Sequence, residues 1–453
     1  MSRTRAPQTP QEVDVAISDL TPDGLGVALI NDRPLHVRNA LPGENVRTRI
    51  LKRRKGVRFG DGCEVLAGSH PARTDPECVY FPRCGGCVLR HLRYSDQLQH
   101  KASQITASLA ENGVEAEAFR APVGLGQGGY RRKARLGVRF VGGEALVGFR
   151  ESFSNRVARM DECQTLTPEL SQLIKPLKGL INKLSAPDKI PQIEVAQGDP
   201  EVGPGAPESD SPGTSSPVLV LRHLTPLSAT DLGLLQTFSA EHHVALLTQS
   251  GGYESVKGLD GSPVPMLSYA LEGLRIEFDP RQFTQVNAQM NQELVARALD
   301  YLDPVQEKTV IDLFCGIGNF SLPLAALGAR VLGVELSTDA VRQATRNAKS
   351  NQITNVEFVS ADLFKQTDFL ESLASADTLL LDPPRSGAGP QLSGWCKALP
   401  ALKEVVYVSC SPKTFGADAR VLGDHGFRLV EVGAYDMFPQ TAHVETIGYF
   451  KRH

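Results

Sequence analysis

The stretch Thr309–Leu324, TVIDLFCGIGNFSLPL, decides the fold that this sequence predicts. The apolar run Val310–Phe314 is typical of a buried strand, and the pair Gly316 and Gly318 precedes an apolar helix. A glycine pair at a strand-to-helix turn lets a ligand approach the backbone beside a helix N-terminus. The stretch therefore predicts an α/β domain with a parallel sheet, whose ligand lies at the carboxyl ends of the strands.

The residues around this loop indicate which ligand it takes. A dinucleotide fingerprint needs a third glycine, and Ser321 stands at that position, which argues against NAD. Glu335 follows the next predicted strand, Ala329–Val334, about twenty residues beyond the loop, where an acid binds ribose hydroxyls. Asp362 follows a third strand, Val356–Val359, and is expected to reach an adenine edge. This ordered series favours S-adenosylmethionine as the cofactor.

A fourth predicted strand, Thr378–Leu381, leads into Asp382-Pro383-Pro384-Arg385. Methyltransferases that act on exocyclic amines commonly carry an aromatic residue after such a Pro-Pro pair. Arg385 occupies that position here, so methylation of an amine is the less favoured chemistry. Arg385 then faces a phosphate, pairs with a carboxylate, or is simply an exposed residue of the turn.

A cysteine ends the fifth predicted strand in the segment KEVVYVSCSP, residues 403–412. The end of a buried strand is rigid, so the thiol of Cys410 is expected to be presented rather than packed. Pro412 is expected to hold the turn open, because proline continues neither a ladder nor an ordinary helix. Taken alone, Cys410 has a second interpretation as a small buried hydrophobic residue.

Five segments together resemble the RNA uracil-C5 methyltransferases: FTQVN (283–287), LFCGIGNFSLPLA, LLDPPR, VYVSCSP and MFPQTAHVET. They occur in the expected order over nearly the whole C-terminal half, with Pro384 where some relatives have alanine. The resemblance implies that Cys410 is the nucleophile and Glu445 the proton acceptor. The resemblance also implies a set of residues that line the cofactor and base pocket: Gln285, Phe314, Asn319, Glu335, Asp362 and Asp382.

The implied chemistry requires these residue types. Uracil C5 is too weak a nucleophile to take a methyl group from a sulfonium unaided. A thiolate that adds at C6 produces an enolate, C5 then attacks the methyl group, and elimination after loss of the C5 proton releases the cysteine. Because the thiolate is the reactive form, Cys410 is expected in an electropositive, accessible setting.

A second group of cysteines lies in the N-terminal half. Cys78, Cys84 and Cys87 are clustered in a Pro- and Gly-rich loop, and Cys163 follows much later. Four thiolates hold either zinc or an iron–sulfur cluster, and only one Cys-x2-Cys pair is present, whereas zinc knuckles come in pairs. The family resemblance extends through these positions and implies a [4Fe-4S] cluster, as in the ribosomal-RNA branch. A disulfide framework is not indicated, because the other cysteines are scattered and no secretory segment is recognised.

Residues 11–69 have the alternation of short β-strands and predict an OB-like barrel, a common scaffold for RNA binding. This stretch resembles the TRAM module of RNA-modifying enzymes. Its basic residues favour contact with RNA phosphates. They are Arg47, Arg49, Lys52, Arg53, Arg54, Lys55 and Arg58. A second basic group, Tyr130–Arg135, is expected to line the RNA path as well.

The chain has 453 residues with a net charge of −3, so its bulk charge carries no nucleic-acid signal. We expect three domains: the barrel (11–69), a central α+β iron–sulfur domain (70–270) and a Rossmann-like methyltransferase domain (271–453). The segment 198–217 is expected to be a flexible insertion. No apolar run reaches the roughly 20 residues of a membrane span. A cytoplasmic monomer without an obligate protein partner is expected.

Three functions remain open at this point. The first is a 23S rRNA uracil-C5 methyltransferase. Which 23S uridine it methylates, and whether it methylates one or two, stays open. The second is a tRNA enzyme with the same chemistry, disfavoured because tRNA-specific relatives generally lack both the barrel and the four cysteines. The third is a noncatalytic RNA-binding or iron–sulfur protein, disfavoured by the intact Cys410, Glu445 and cofactor loop.

Overall fold

The computed structural model describes residues 11–199, 216–365 and 375–452. The insertion expected at 198–217 lies almost entirely outside the described residues. No helix in the described ranges is both long and apolar enough to cross a bilayer.

The N-terminal region is a curved sheet whose six described strands are paired in the order β1-β5-β6-β4-β3-β2. Its inward positions, such as Leu35, Val37 and Val46, are fully buried and form a small core of their own. Irregular pairing between β5 and β6 bends the two long strands, which lets one sheet curve around this core. The strands are β1 (Glu12–Ala16), β2 (Asp19–Leu20), β3 (Gly26–Ile30), β4 (Arg33–Arg38), β5 (Asn45–Arg54) and β6 (Val57–Ala67).

The central region contains a second, mixed sheet. Helix α1 (Tyr94–Glu111) and strand β7 (Ala116–Phe119) come before this sheet in the chain and are not part of it. The elements that follow are β8 (Lys133–Val141), β9 (Glu144–Gly148), α2 (Pro168–Gln172), α3 (Ile174–Lys183), β10 (Gln192–Ala196), β11 (Val218–Arg222), α4 (Ala229–Glu241), β12 (Ala245–Gln249) and β13 (Lys257–Gly258). The described strands are ordered β13-β12-β11-β10-β8-β9. Apolar faces of α3 and α4 bury this sheet on one side.

The C-terminal region begins with a hairpin and continues as a doubly wound sheet. Its elements are β14 (Leu267–Leu271), β15 (Leu274–Phe278), α5 (Ala288–Leu302), β16 (Thr309–Leu313), α6 (Ser321–Ala326), β17 (Arg330–Glu335), α7 (Thr338–Ser350), β18 (Val356–Ser360), β19 (Thr378–Leu381), α8 (Gln391–Ala398), β20 (Glu404–Ser409), α9 (Pro412–Asp424), β21 (Phe427–Tyr435) and β22 (Glu445–Arg452). The described order is β18-β17-β16-β19-β20-β22-β21-β7. The first five strands are parallel, and β22 is antiparallel to both of its neighbours. The parallel α/β sheet predicted from the cofactor loop is therefore present.

Two elements from the middle of the chain pack with this C-terminal sheet. Strand β7 extends it by pairing in parallel with β21. Helix α1 packs against α9, where Gly416 allows the closest approach: a Cβ there would lie 2.7 Å from the carbonyl oxygen of Ser108. The division of the chain at residues 70 and 271 stays a prediction, but the sheet reaches back to residue 116. Pairing across such a sequence separation leaves no local pattern from which it could be read.

Candidate functional site

The cofactor loop leaves β16 in a conformation that needs its glycines. Gly316 and Gly318 have φ values of +56° and +94°, which side chains on L-residues rarely adopt. A Cβ on Gly318 would also lie 2.8 Å from Cδ1 of Leu322, so the loop packs tightly onto the following helix. Phe314 also has a positive φ of +67°, and its backbone amide donates to the carbonyl of Val334. The loop is thus held open at the carboxyl end of the sheet.

The two acids predicted to hold the nucleoside end the neighbouring strands. Glu335 ends β17, and its carboxylate accepts hydrogen bonds from the amides of Gly316 (3.3 Å) and Ser337 (2.9 Å). Asp362 follows β18; it accepts from the amide of Phe364 and pairs with Lys365 at 2.8 Å. The hydrogen bond from Lys365 holds the pKa of Asp362 below its usual value. Both acids lie at the edge of the sheet where the cofactor loop opens.

The other predicted pocket residues differ in what their side chains do. The Phe314 ring lies 5.8 Å from Phe364 and 6.1 Å from Trp395, which leaves it half-buried at the sheet edge. Asn319 is used internally: its amide oxygen accepts from Tyr269 and Asn291, each at 2.9 Å, so it braces the loop against α5 and β14.

Gln285 is buried, and its carbonyl accepts a hydrogen bond from Nε of Arg132. Two positions away, the side chain of Phe283 is 79% exposed. Sequence reasoning quoted Phe283 within its motif without assigning it a role. The signal available was an aromatic residue at the start of a polar loop, and only the structure shows that the ring is unpacked.

Cys410 directly follows β20 and precedes α9. Its thiol is half-buried. The expectation for Pro412 was wrong: it is the first residue of α9 and starts the helix. Proline is favoured there because the first helical amide needs no partner and the ring presets φ. Ser411 caps the helix by accepting from the amide of Thr414. Cys410 therefore faces the positive end of a thirteen-residue helix.

Glu445 and Asp382 flank this cysteine. Glu445 is the first residue of β22, an inner strand rather than an edge strand, and it is 4% exposed. Asp382 follows β19, the parallel neighbour of β20. In the antiparallel pair of β20 and β22, Ser409 lies opposite Thr446, which brings the next residue, Cys410, to the end of the strand beside Glu445. Sequence positions 382, 410 and 445 thus converge at one edge of the sheet.

Burial sets the protonation of this group. Burial raises the pKa of Cys410 to about 11, and the negative charge of Glu445 adds to that effect while Arg385 opposes it. Burial and then the charge of Asp382 raise the pKa of Glu445 well above its usual value. Burial alone raises the pKa of Asp382 to about 7. The expected electropositive setting for the thiol is only partly present, because enclosure outweighs the single nearby guanidinium.

Arg385 lies beside these groups on the exposed rim. Its Nη2 is 3.5 Å from Nε2 of His443, and its carbonyl accepts from the hydroxyl of Thr414 on α9. The guanidinium is exposed, so it is available to a phosphate or to a carboxylate of the site. Its charge lowers the pKa of both Cys410 and Glu445.

The four cysteines of the N-terminal half line one pocket, together with Tyr80, Phe81, Arg90 and Phe149. Burial raises the pKa of Cys84 to about 12, and a hydrogen bond from the amide of Gly86 opposes that shift. None of the eight cysteines forms a disulfide bond in the structure.

The described residues contain no three His, Cys, Asp or Glu side chains arranged to hold a single metal ion. Four thiols that line one pocket are a donor set that zinc and iron–sulfur clusters both take.

The basic residues of the barrel fall into two groups. Arg47 pairs with Asp14 and Glu64, and Arg49 pairs with Glu12, so these guanidinium groups are already neutralised. Arg53, Arg54 and Lys55 are exposed at the tip of β5 and the following turn, without an ion pair in the described part of the chain. Lys52 lies over the ring of Phe153, at 4.9 Å from its centroid.

Two members of the second basic group are turned inward. Arg132 is 4% exposed, donates to the carbonyl of Gln285 and lies over the ring of Tyr269. Lys133 donates to the carbonyl of Gln282. Arg135 is exposed and pairs with Glu194. Arg132 and Lys133 hold the segment before α5, so the prediction that 130–135 lines the RNA path is not supported for these two residues.

Comparison with known proteins agrees with this geometry. The family described as tRNA (Uracil-5-)-methyltransferase matches residues 267–453, and the TRAM domain matches residues 8–61. The 23S rRNA (uracil(1939)-C(5))-methyltransferase RlmD of Alkalilimnicola ehrlichii is 43% identical, over 99% of this chain and 98% of that protein. The RlmD of Hahella chejuensis is 40% identical over the full length of both chains.

The fold and site define an S-adenosylmethionine-dependent RNA uracil-C5 methyltransferase with an N-terminal TRAM domain. Since its full-length relatives at about 40% identity are RlmD proteins, the chain belongs to the RlmD family.

A solved structure shows how widely the fold is shared. The Pyrococcus abyssi tRNA (uracil-54, C5)-methyltransferase, in complex with S-adenosyl-L-homocysteine, superposes with a TM-score of 0.70 at 23% identity. The match covers 97% of this chain and all of that one, so it includes the N-terminal region. The likeness shows that this protein shares its fold, including the N-terminal region, with that chain.

Proposed function

We propose that this protein transfers a methyl group from S-adenosylmethionine to C5 of a uridine in 23S rRNA, at the position that its relatives name as 1939. The observation that carries the proposal is the convergence of Cys410 and Glu445 beside the cofactor loop. The full-length similarity to RlmD proteins supports the choice of RNA.

Each site residue then has a role in the transfer. Glu335 binds the ribose hydroxyls of the cofactor and Asp362 its adenine edge, while Phe314 packs beside it. Asp382, at the end of β19, would hold the sulfonium end of the cofactor. Asn319 braces the loop rather than touching the cofactor, because both of its side-chain atoms are engaged by Asn291.

The target uridine leaves its RNA stack to reach a site of this depth. Phe283 offers an exposed ring on which a base stacks, and Gln285 lies buried beside it for hydrogen bonding. Cys410 adds to C6, C5 takes the methyl group, and Glu445 accepts the C5 proton before Cys410 leaves. The amino end of α9 and the charge of Arg385 favour the thiolate that this sequence of steps requires.

We also propose that Cys78, Cys84, Cys87 and Cys163 hold a [4Fe-4S] cluster. Transfer of a methyl group from a sulfonium consumes no electron, so a bound cluster would supply a brace for its loop. The loop has little apolar core of its own apart from the rings of Tyr80, Phe81 and Phe149 around the pocket.

The experiment that tests the function is mapping of 5-methyluridine in 23S rRNA by mass spectrometry in a deletion strain. We expect the methyl group at one uridine to be lost, restored by the wild-type chain, and not restored by the Cys410→Ala chain. Loss of 5-methyluridine from tRNA, with 23S rRNA unchanged, would replace the proposal by the tRNA alternative.

A further inference from the structure

The segment 436–442 connects β21 to Glu445, and residues from far earlier in the chain hold it. The amides of Val88 and Leu89, directly after Cys87, both donate to the carbonyl of Gln440, at 2.9 and 3.0 Å. Gln440 itself has a positive φ of +69°, a conformation that a non-glycine residue adopts only when its surroundings impose it. The segment that leads to Glu445 is therefore held in place by hydrogen bonds from distant parts of the chain.

One stripe of helix α1 supplies further contacts to this segment. Gln97 donates to the side chain of Gln440 at 3.1 Å, Lys101 donates to the carbonyl of Phe438 at 3.1 Å, and Gln104 donates to the carbonyl of Ala442 at 3.5 Å. Positions 97, 101 and 104 are spaced by four and three residues, so they share one face of the helix. This face of α1 contacts the segment at three residues, Phe438, Gln440 and Ala442.

Of the three side chains on this face of α1, that of Lys101 costs the most free energy to bury. Its side chain is 1% exposed, and it forms an ion pair with Asp436, which is 0% exposed. Lysine is almost never buried so completely without a specific partner. If these residues served only to pack the helix, apolar residues would stabilise the fold at least as well, since a buried ion pair is often no more stabilising than a hydrophobic replacement.

The same helix face also supports the nucleophile. Ser108, seven residues after Lys101, meets α9 at Gly416, and α9 begins two residues after Cys410. Helix α1 therefore touches both the segment that ends in Glu445 and the helix that starts beside Cys410. A rigid element in contact with both residues can set the distance between them.

We propose that Lys101 is a positioning residue for the methyl transfer, which acts through Asp436 and the carbonyl of Phe438 to hold Glu445 in line with the C5 proton. This inference rests on the proposed roles of Cys410 and Glu445. It does not require Lys101 to touch the RNA or the cofactor. Its loss impairs the proton-removal step that depends on Glu445.

The test uses Lys101→Met, which keeps the length of the side chain and removes its charge. We expect kcat to fall about 10- to 100-fold, the range that a small misplacement of a reacting group produces. KM for S-adenosylmethionine should stay within about twofold. A methylated RNA–protein adduct should accumulate on ordinary uridine RNA, as with Glu445→Gln, because addition and methyl transfer precede the impaired step.

A double variant, Lys101→Met with Asp436→Leu, separates positioning from stability. Removal of both charges relieves the buried carboxylate that the single change leaves unpaired, so the melting temperature should recover. Under our inference kcat stays low and the adduct still accumulates. Recovery of kcat together with the melting temperature would overturn the inference and leave Lys101 a purely structural role. If the single variant does not fold, the double variant carries the test.

A matched control is Arg73→Met, which breaks another enclosed pair, with Glu44, next to the barrel. It should lower stability without accumulation of the adduct. Wild-type protein and RNA containing 5-fluorouridine run in parallel: absence of trapping there refutes the proposed function itself. Trapping by the wild type, together with normal turnover by Lys101→Met, refutes only the positioning role.

Discussion

Cys410 and Glu445 meet at one end of an antiparallel strand pair, since Ser409 lies opposite Thr446 in the register of β20 and β22. The sheet thus brings the nucleophile and the proton acceptor together from segments 35 positions apart in the sequence. Both groups are enclosed, and burial raises the pKa of each. In the free protein at neutral pH Cys410 is therefore held mainly as the thiol, and burial also disfavours the charged form of Glu445.

The first prediction concerns this thiol. With a pKa of about 11, Cys410 exposes more thiolate as the pH rises, so its alkylation by iodoacetamide should accelerate about tenfold per pH unit from pH 7 to 10. Arg385→Ala removes the charge that lowers this pKa and should slow alkylation at every pH in that range. Mass spectrometry of the Cys410 peptide measures the rate, with the exposed Cys63 as an internal reference for the reagent. A rate that levels off near pH 8 would contradict the burial argument.

The second prediction concerns RNA affinity. Replacement of Lys52, Arg53 and Arg54 by Ala should weaken binding and reduce the slope of log affinity against log salt concentration. Each lost phosphate contact should lower the slope by somewhat under one unit. Binding isotherms at several salt concentrations provide the measurement.

The paired arginines offer a matched control for that experiment. Arg47 and Arg49 lie on the same strand but already contact Asp14, Glu64 and Glu12. The double change to Ala there should leave the salt slope nearly unaltered. An unchanged slope in the triple variant would place the RNA path elsewhere on the molecule.

The third prediction concerns the four-cysteine pocket. Protein purified without oxygen should be brown and contain about four irons per chain with acid-labile sulfide. Cys84→Ser should remove the colour and destabilise the loop around the pocket, because metal binding and folding are coupled in such loops. Cys396→Ser, at a buried cysteine remote from this group, is the control and should keep the iron. Stoichiometric zinc without iron would refute the cluster.

Local sequence patterns were sufficient to predict strands of the C-terminal sheet and the positions of Asp382 and Cys410 at strand ends. The predicted strands at 310–314, 329–334 and 356–359 lie within a residue or two of β16, β17 and β18. Such strands are short, largely apolar runs, so their positions are visible in sequence. Cys410 and Asp382 were placed at strand ends by the same reasoning.

Long-range contacts were not visible. The partnership of Lys101 with Asp436 spans 335 positions, and its helix was assigned to another domain. The inward turn of Arg132 likewise depends on Tyr269 and Gln285, which no local pattern connects to it. A basic residue looks the same in sequence whether it meets an RNA phosphate or a carbonyl of its own chain.

The fourth prediction separates the roles of Cys410 and Glu445. Glu445→Gln should permit addition and methyl transfer but slow removal of the C5 proton. A methylated adduct on uridine RNA should then survive denaturing electrophoresis, whereas Cys410→Ala should form none. Normal turnover by Glu445→Gln would reassign the proton acceptor.

The most direct measurement of the central claim is mass spectrometry of wild-type protein incubated with S-adenosylmethionine and 23S rRNA fragments that carry 5-fluorouridine at the target. Fluorine does not leave as a proton does, so the reaction should stop at a covalent adduct. We predict a peptide containing Cys410 with the methylated fluorouridine attached, and no adduct with the Cys410→Ala protein. An adduct on another residue, or one that persists in Cys410→Ala, would contradict the account.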